Sequence, residues 1–245
     1  MSPVLPTKPG NRLLNDLTPA ARERVIALGE EVDLEFGTKV CEANRRFRYV
    51  YFPLTGFISL VHTVGKHPPL EMGLIGSEGM LGVTAILGIT IAPLSAVVQG
   101  PGRALRLTTS ALRIEMDAHP PLREALQRYL YVLFMQLAQT TACTRFHEID
   151  ARLSRWLLMT HDRAHGDRFH LTHQFLADML GVQRSAVTIA AGVLQARGLI
   201  SYTRGEILIV DRRGLEAASC ECYEAVVADY ARFFPAKSTR PTSGG

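Results

Sequence analysis

No apolar run in this chain is long enough to cross a bilayer. The longest candidate, Tyr129 to Ala138, is ten residues and includes Gln136, whereas a spanning helix needs about 20 apolar residues. Cysteine is scarce: Cys41, Cys143, Cys220 and Cys222 are the only four, and they lack the spacing of a disulfide framework. A reduced, cytoplasmic setting is the expectation. Cys220-x-Cys222 has no second pair near it in sequence, so it reads as two thiols; no metal and no cofactor are expected. The N-terminal stretch carries Pro3, Pro6 and Pro9 and lacks the apolar segment of a secretory signal. P-loop, dinucleotide-binding and nucleophile-elbow motifs are all missing, so the enzyme classes built on them are excluded.

Lysine is absent from residues 151–215, yet arginine is abundant there: nine Arg stand against five Asp or Glu, which equals the +4 of the whole chain. Clustered arginine points to a polyanionic partner. The same region holds the most informative stretch, Leu171 to Ile200. Ala177 is small enough for a second helix to cross over it, and Gly181 can adopt the positive φ that ends a helix and turns the chain. Val187, Ala190, Ala191 and Leu194 then form the inner face of a second helix. Its outer face presents Arg184, Ser185, Thr188, Ile189 and Gln195, a set suited to reading base edges in a major groove. Ile200–Thr203, a turn at Arg204-Gly205-Glu206 and Ile207–Val210 read as a two-stranded wing with Arg204 at its tip.

Upstream, the pattern changes. Val32–Phe36, Thr38–Cys41, Tyr49–Phe52, Phe57–His62, Leu70–Ile75, Ser95–Gln99 and Ala104–Leu107 are short apolar stretches separated by Gly and Pro, as in a β-sandwich or jelly roll. Thr18-Pro19 opens a short helix to Leu28, and Gly79–Gly88 reads as a short helix and strand. His119-Pro120-Pro121 starts a long helix reaching about Phe146. It is apolar almost all round near Tyr129–Ala138 and must bury more than one face. Leu126, Tyr129, Leu133, Leu137 and Thr140, spaced 3, 4, 4 and 3, are the expected contact with a twin helix of a second chain; full burial within one chain is the alternative. An amphipathic helix from Ile149 to Arg163 follows, with Leu153, Trp156, Leu157 and Thr160 on one face. A last helix is expected over Arg213–Tyr230.

The division expected is a flexible arm over 1–18, a β-roll sensory domain over 19–116, a dimerisation helix over 117–147, a winged helix-turn-helix over 148–234 and a disordered tail over 235–245. The fold class is α+β. This order of parts resembles the Crp/Fnr superfamily of bacterial transcription regulators. Leu171-Thr172, Ala177, Gly181, Arg184-Ser185, Val187, Leu194 and Gly198-Leu199-Ile200 carry the resemblance, together with Gly56 and Ile75-Gly76 ahead of Gly79. It implies a homodimer that binds palindromic double-stranded promoter DNA, contacts RNA polymerase, and senses through the β-roll. The DNA contacts expected are Thr172, His173, Gln183, Arg184, Ser185, Thr188, Ile189 and Arg204.

Departures from the family pattern bear on the effector. Members that bind cyclic nucleotide place a Glu on the ribose and an Arg-Ser pair on the phosphate. The matching residues here are Ser77 and Glu78, then Leu94 and Ser95. A leucine in the place of the arginine cannot offset a phosphate's lost hydration, so cyclic AMP is not expected as the effector, whose identity stays open. Iron–sulfur members use four cysteines, three of them near the N-terminus, whereas only Cys41 lies in the first 140 residues here. A single His can hold a haem; His62 and His67 are the candidates, though surface histidines are commoner. His161 and His165 are at i, i+4, but Gly166 is expected to end the helix. A cupin-like metal enzyme would need a second His at Val64, beside Gly56 and His62. A sensor module without DNA binding is the remaining alternative.

Overall fold

A computed structural model describes residues 10–164 and 166–235. Each of the seven apolar stretches becomes a strand: β1 (Glu30–Leu34), β2 (Lys39–Cys41), β3 (Tyr49–Pro53), β4 (Phe57–His62), β5 (Leu70–Ile75), β6 (Ser95–Gly100) and β7 (Gly102–Thr108). They pair antiparallel in two sheets, ordered β1-β7-β3 and β2-β6-β4-β5. The sheets face each other over Val50, Phe52, Ile58, Ala96, Val98 and Leu107, all buried. Gly79–Gly88 holds a 3-10 helix, Val83–Leu87, in place of the expected helix and strand.

Residues 10–18 are not an arm. Helix α1 (Arg12–Asp16) is capped by Asn11, whose amide also donates to the carbonyls of Pro53 and Gly79 at 3.0 and 2.7 Å. Leu13, Leu14 and Leu17 are buried in the β-roll core, so burial outweighs the Pro-rich context. Residues 1–9 of the expected arm and 236–245 of the expected tail lie outside the described residues. Helix α2 (Pro19–Ala27) is capped by Thr18, as its sequence predicts.

After α3 (Thr109–Ala118) comes the long helix α4 (Pro120–Phe146). Here the expected dimer face is corrected. Leu126, Tyr129 and Leu133 are buried within the chain, against the β-roll. Leu137 packs against the same core and the Thr140 hydroxyl bonds back to Gln136. The side of α4 left exposed runs through Gln127, Tyr131, Phe134, Ala138 and Thr141.

Helix α5 (Ile149–Ala164) follows the His147-Glu148 hinge. It is covered on nearly every side, because it is wedged between the β-roll and the helix-turn-helix. The second core runs from Phe57 and Leu74 of the β-roll through Leu153 and Leu157 of α5 to Leu176, Val187 and Leu194. That is why β4 is buried on both faces and shows no alternation. The last helical region breaks in two, α8 (Arg212–Ala218) and α9 (Cys222–Phe233). Val226, Tyr230 and Phe234 join the β-roll core, so the final helix does not belong wholly to the expected domain over 148–234.

Candidate nucleic-acid interface

Strand β8 (Arg168–His170), helices α6 (His173–Leu180) and α7 (Arg184–Ala196), and strands β9 (Ile200–Thr203) and β10 (Glu206–Ile209) form the C-terminal unit. Gly181 caps α6 at φ 66° and turns the chain into α7, and a Cβ there would also meet Leu70. Val187, Ala190, Ala191 and Leu194 are buried as expected. The wing gains a strand, its sheet running β8-β10-β9. At its tip Thr203 pairs with Glu206, and the two residues between them, Arg204 and Gly205, have φ of 50° and 85°. That two-residue turn matches strand twist. It also leaves Arg204 exposed.

The eight expected contact residues fall into two groups. Gln183, the N-cap of α7, and Arg184, Ser185 and Ile189 on its first turns stand exposed, as does Arg204 at the tip of the wing. The others have structural tasks. Thr172 caps α6 by accepting from the Phe175 N–H. His173 stacks on Tyr202 with ring centroids 4.1 Å apart, and its Nδ1 lies 2.9 Å from the Thr188 hydroxyl. Thr188 donates to the Arg184 carbonyl, so the imidazole supplies the other proton. Burial, then the nearby Arg184 charge, lowers the pKa of His173. His173 thus ties α6, α7 and the wing together. Gln195, on the expected outer face, accepts from the Tyr202 N–H.

The arginine excess also divides. Arg152, Arg155 and Arg163 of α5 are buried. Arg152 donates to the Leu180 carbonyl, and Arg212 is held by Asp162 and Glu216. Arg168, Arg184, Arg197, Arg204 and Arg213 remain exposed.

Of the four residues expected in the effector pocket, one lines a cavity. Leu94 borders a cavity of about 350 Å³ between the sheets and α4, with Tyr51, Leu60, Met80, Leu133 and Phe134 among its walls. Ser77 and Glu78 are not on it. The Ser95 hydroxyl accepts from the Ala43 N–H. Glu78 is buried and ion-paired to Arg163, with 2.7 Å from Nε to Oε1. Cations do reach the cavity, but from another loop, as exposed Arg46 and Arg48. His62 and His67 are exposed and do not border it. His161 bonds Asp167 and Arg212, and His165 lies outside the described residues.

A second polar link joins the two units. The Glu71 carboxyl accepts from Trp156 Nε1 of α5 at 2.8 Å and lies 2.6 Å from the Ser59 hydroxyl. Ser59 lies 2.7 Å from the Gln99 carbonyl, and Gln99 reaches Met179 of α6. Ser59 has one proton for two acceptors, and a protonated Glu71 resolves the conflict by donating to it. Burial raises the Glu71 pKa from 4.5 to about 7. The folded chain therefore holds a proton that the unfolded chain has released. Stability is expected to fall by up to about 3 kcal/mol as pH rises from about 4.5 through 7. Urea unfolding at pH 5 and pH 8 should show that fall in the wild type but not in Glu71→Gln. An equal slope in both would remove Glu71 as its source.

The sequence reading missed a side-chain cluster at the hinge. Cys143 and His147, at the end of α4, meet Cys220 and Cys222, and their ligand atoms all lie within 4.8 Å of one another. The local signal was Cys143-x-x-x-His147, one helical turn apart; its partners are 77 and 75 positions away.

Residues 151–218 match a family model described as the Crp-like helix-turn-helix domain. No curated protein sequence matches the chain. Several solved structures have a similar fold. FixK2 from Bradyrhizobium japonicum is 14% identical, over 78% of this chain and 98% of that one, with a TM-score of 0.67. A putative transcriptional regulator of the Crp/Fnr family from Eubacterium rectale is 17% identical, over 84% and 96%, with a TM-score of 0.66. TTHA1359, a Crp/Fnr-family transcriptional regulator from Thermus thermophilus, is 21% identical, over 78% and 98%, with a TM-score of 0.63. Residues 151–218 thus match the Crp-like helix-turn-helix domain, within a chain that shares the fold of those solved Crp/Fnr-type structures.

Proposed function

We propose that the protein is a homodimeric transcription regulator that binds palindromic double-stranded DNA through α7 and the wing. The observation that carries this reading is the exposed N-terminal face of α7, with Arg184 and Ser185, and the exposed Arg204 at the wing tip, on a domain that matches the Crp-like type. The helix N-terminus and Arg204 suit phosphates, and Arg184 suits a guanine edge. Ile189 offers an apolar surface to a thymine methyl. Two such units on one dimer read half-sites about one DNA turn apart.

Genomic fragments recovered on the purified protein supply the test DNA. Binding is expected to weaken steeply with salt. Arg184→Ala should cost about 1–3 kcal/mol on the preferred fragment and flatten discrimination at one G·C pair. Equal loss on all sequences would make Arg184 a phosphate contact instead. Millimolar cyclic AMP should leave both affinity and melting temperature unchanged, because Glu78 is committed to Arg163 and the cavity walls are mainly apolar. A rise in either would restore the cyclic-nucleotide reading. The cavity suits a mainly apolar effector with an anionic group near Arg46 and Arg48.

A further inference from the structure

The α4–α5 hinge carries chemistry that DNA binding does not use. Helix α4 ends at Phe146 and α5 starts at Ile149. The break between α8 and α9 lies against this hinge. There the Cys143 and Cys220 sulfurs are 3.5 Å apart, and the Cys222 sulfur is 3.4 Å from His147 Nδ1. All three thiols are buried and His147 is half-buried. The three cysteines form a small core of their own, with Ala151 as the apolar neighbour packed on them.

The spacing is selective. Tetrahedral zinc, with Zn–S near 2.3 Å and Zn–N near 2.0–2.1 Å, puts its ligand atoms about 3.5–3.8 Å from one another. An iron–sulfur cluster interposes several irons and sulfides between its thiolates and needs a wider cage. Three soft thiolates with one imidazole in a tetrahedral set suit zinc rather than magnesium, calcium or manganese. The surroundings also fit. His147 Nε2 lies 3.1 Å from a Glu221 carboxylate oxygen. That contact makes Nε2 the N–H donor and turns the lone pair of Nδ1 toward the thiols. The Gln139 amide donates to the Cys222 sulfur at 3.0 Å. Three thiolates around a dication leave one negative charge, and Arg152 and Arg155 of α5 lie within electrostatic reach of Cys143.

The geometry points to a structural zinc site formed by Cys143, His147, Cys220 and Cys222. With four protein ligands it leaves no open position for catalysis. It ties the end of α4 to the α8–α9 junction and so clamps the hinge at which the DNA-binding unit joins the long helix.

The test is metal analysis of the full chain purified without chelator or added metal. About one zinc per chain is expected. Cobalt added to metal-stripped protein should give the visible bands of a tetrahedral thiolate site, saturating at one equivalent. Cys220→Ser and Cys222→Ser should lose the zinc and the cobalt spectrum. Cys41→Ser should keep both, and His147→Cys should keep a tetrahedral spectrum shifted by the fourth thiolate. The cobalt titration of the wild type stands even where a cysteine variant fails to fold. Wild type with less than a tenth of an equivalent of metal and no cobalt spectrum would overturn the site. So would a Cys143–Cys220 disulfide in the protein as first purified, or an iron–sulfide chromophore.

Discussion

Glu78→Ala is expected to destabilise the chain by about 3–5 kcal/mol, the cost of breaking a buried ion pair from one side. The Arg163 side chain is 1% exposed and the Glu78 side chain 5%. Arg163 otherwise donates to the Met159 carbonyl of its own helix. Removal of the carboxylate leaves a guanidinium, buried where the β-roll meets α5, without its hydrogen-bonded counter-charge. The double variant Glu78→Leu with Arg163→Met should recover most of the loss, because it removes both charges and keeps the volume. Urea denaturation of the three proteins measures both quantities. A loss below about 1 kcal/mol, typical of an exposed pair, would show that the pair is not buried. Glu78 lies on the turn after β5, and α5 leads into α6, so the pair ties the β-roll to the helix that precedes the helix-turn-helix.

The second large effect concerns the outer face of α4. On the homodimer proposed above, Phe134→Asp is expected to give monomers and to weaken binding to a palindromic site by about 10²–10⁴-fold, the avidity of two linked half-site contacts. Gln127, Tyr131, Phe134, Ala138 and Thr141 recur at intervals of 4, 3, 4 and 3 residues on the exposed side, the seam of a two-helix coil. Phe134 is 64% exposed and Tyr131 47%, and Tyr131 also packs on Phe233 with ring centroids 5.0 Å apart. Light scattering and titration against one half-site and two separate the outcomes. A Phe134→Asp protein that remains dimeric would place the interface elsewhere. Leu133→Asp, one residue away, is expected to unfold the chain instead, because Leu133 lies in the β-roll core.

Those two neighbours show where sequence reasoning stopped. Residues 126, 129, 133 and 137 and residues 127, 131, 134 and 138 are both heptad-like stripes on one helix. Periodicity shows that each is a stripe but not which faces the chain's own sheets. The richer apolar stripe is the one that periodicity offers to a partner helix, and the structure buries it within the chain. Arginine misled in a similar way. Charge counting treats every arginine as surface, yet Arg152, Arg155 and Arg163 sit between two units, where the partner groups come from distant parts of the chain.

The helix-turn-helix was legible because its determinants are local. Gly181 must turn within one residue, the inner face repeats within one helix, and Arg204-Gly205 closes its hairpin across two residues. The seven strands were legible for the same reason, bounded by Gly and Pro a few residues away. By itself, then, the sequence determined the element order, the second helix of the helix-turn-helix with Arg184 on its exposed side, and the fold class. Only the tertiary structure decided which face of α4 is free, that Glu78 pairs with Arg163, and that Cys143 and His147 meet Cys220 and Cys222. Local elements follow from interactions within a few residues of backbone. Pairings across 75 or more positions depend on how whole elements pack, and no short-range pattern encodes that.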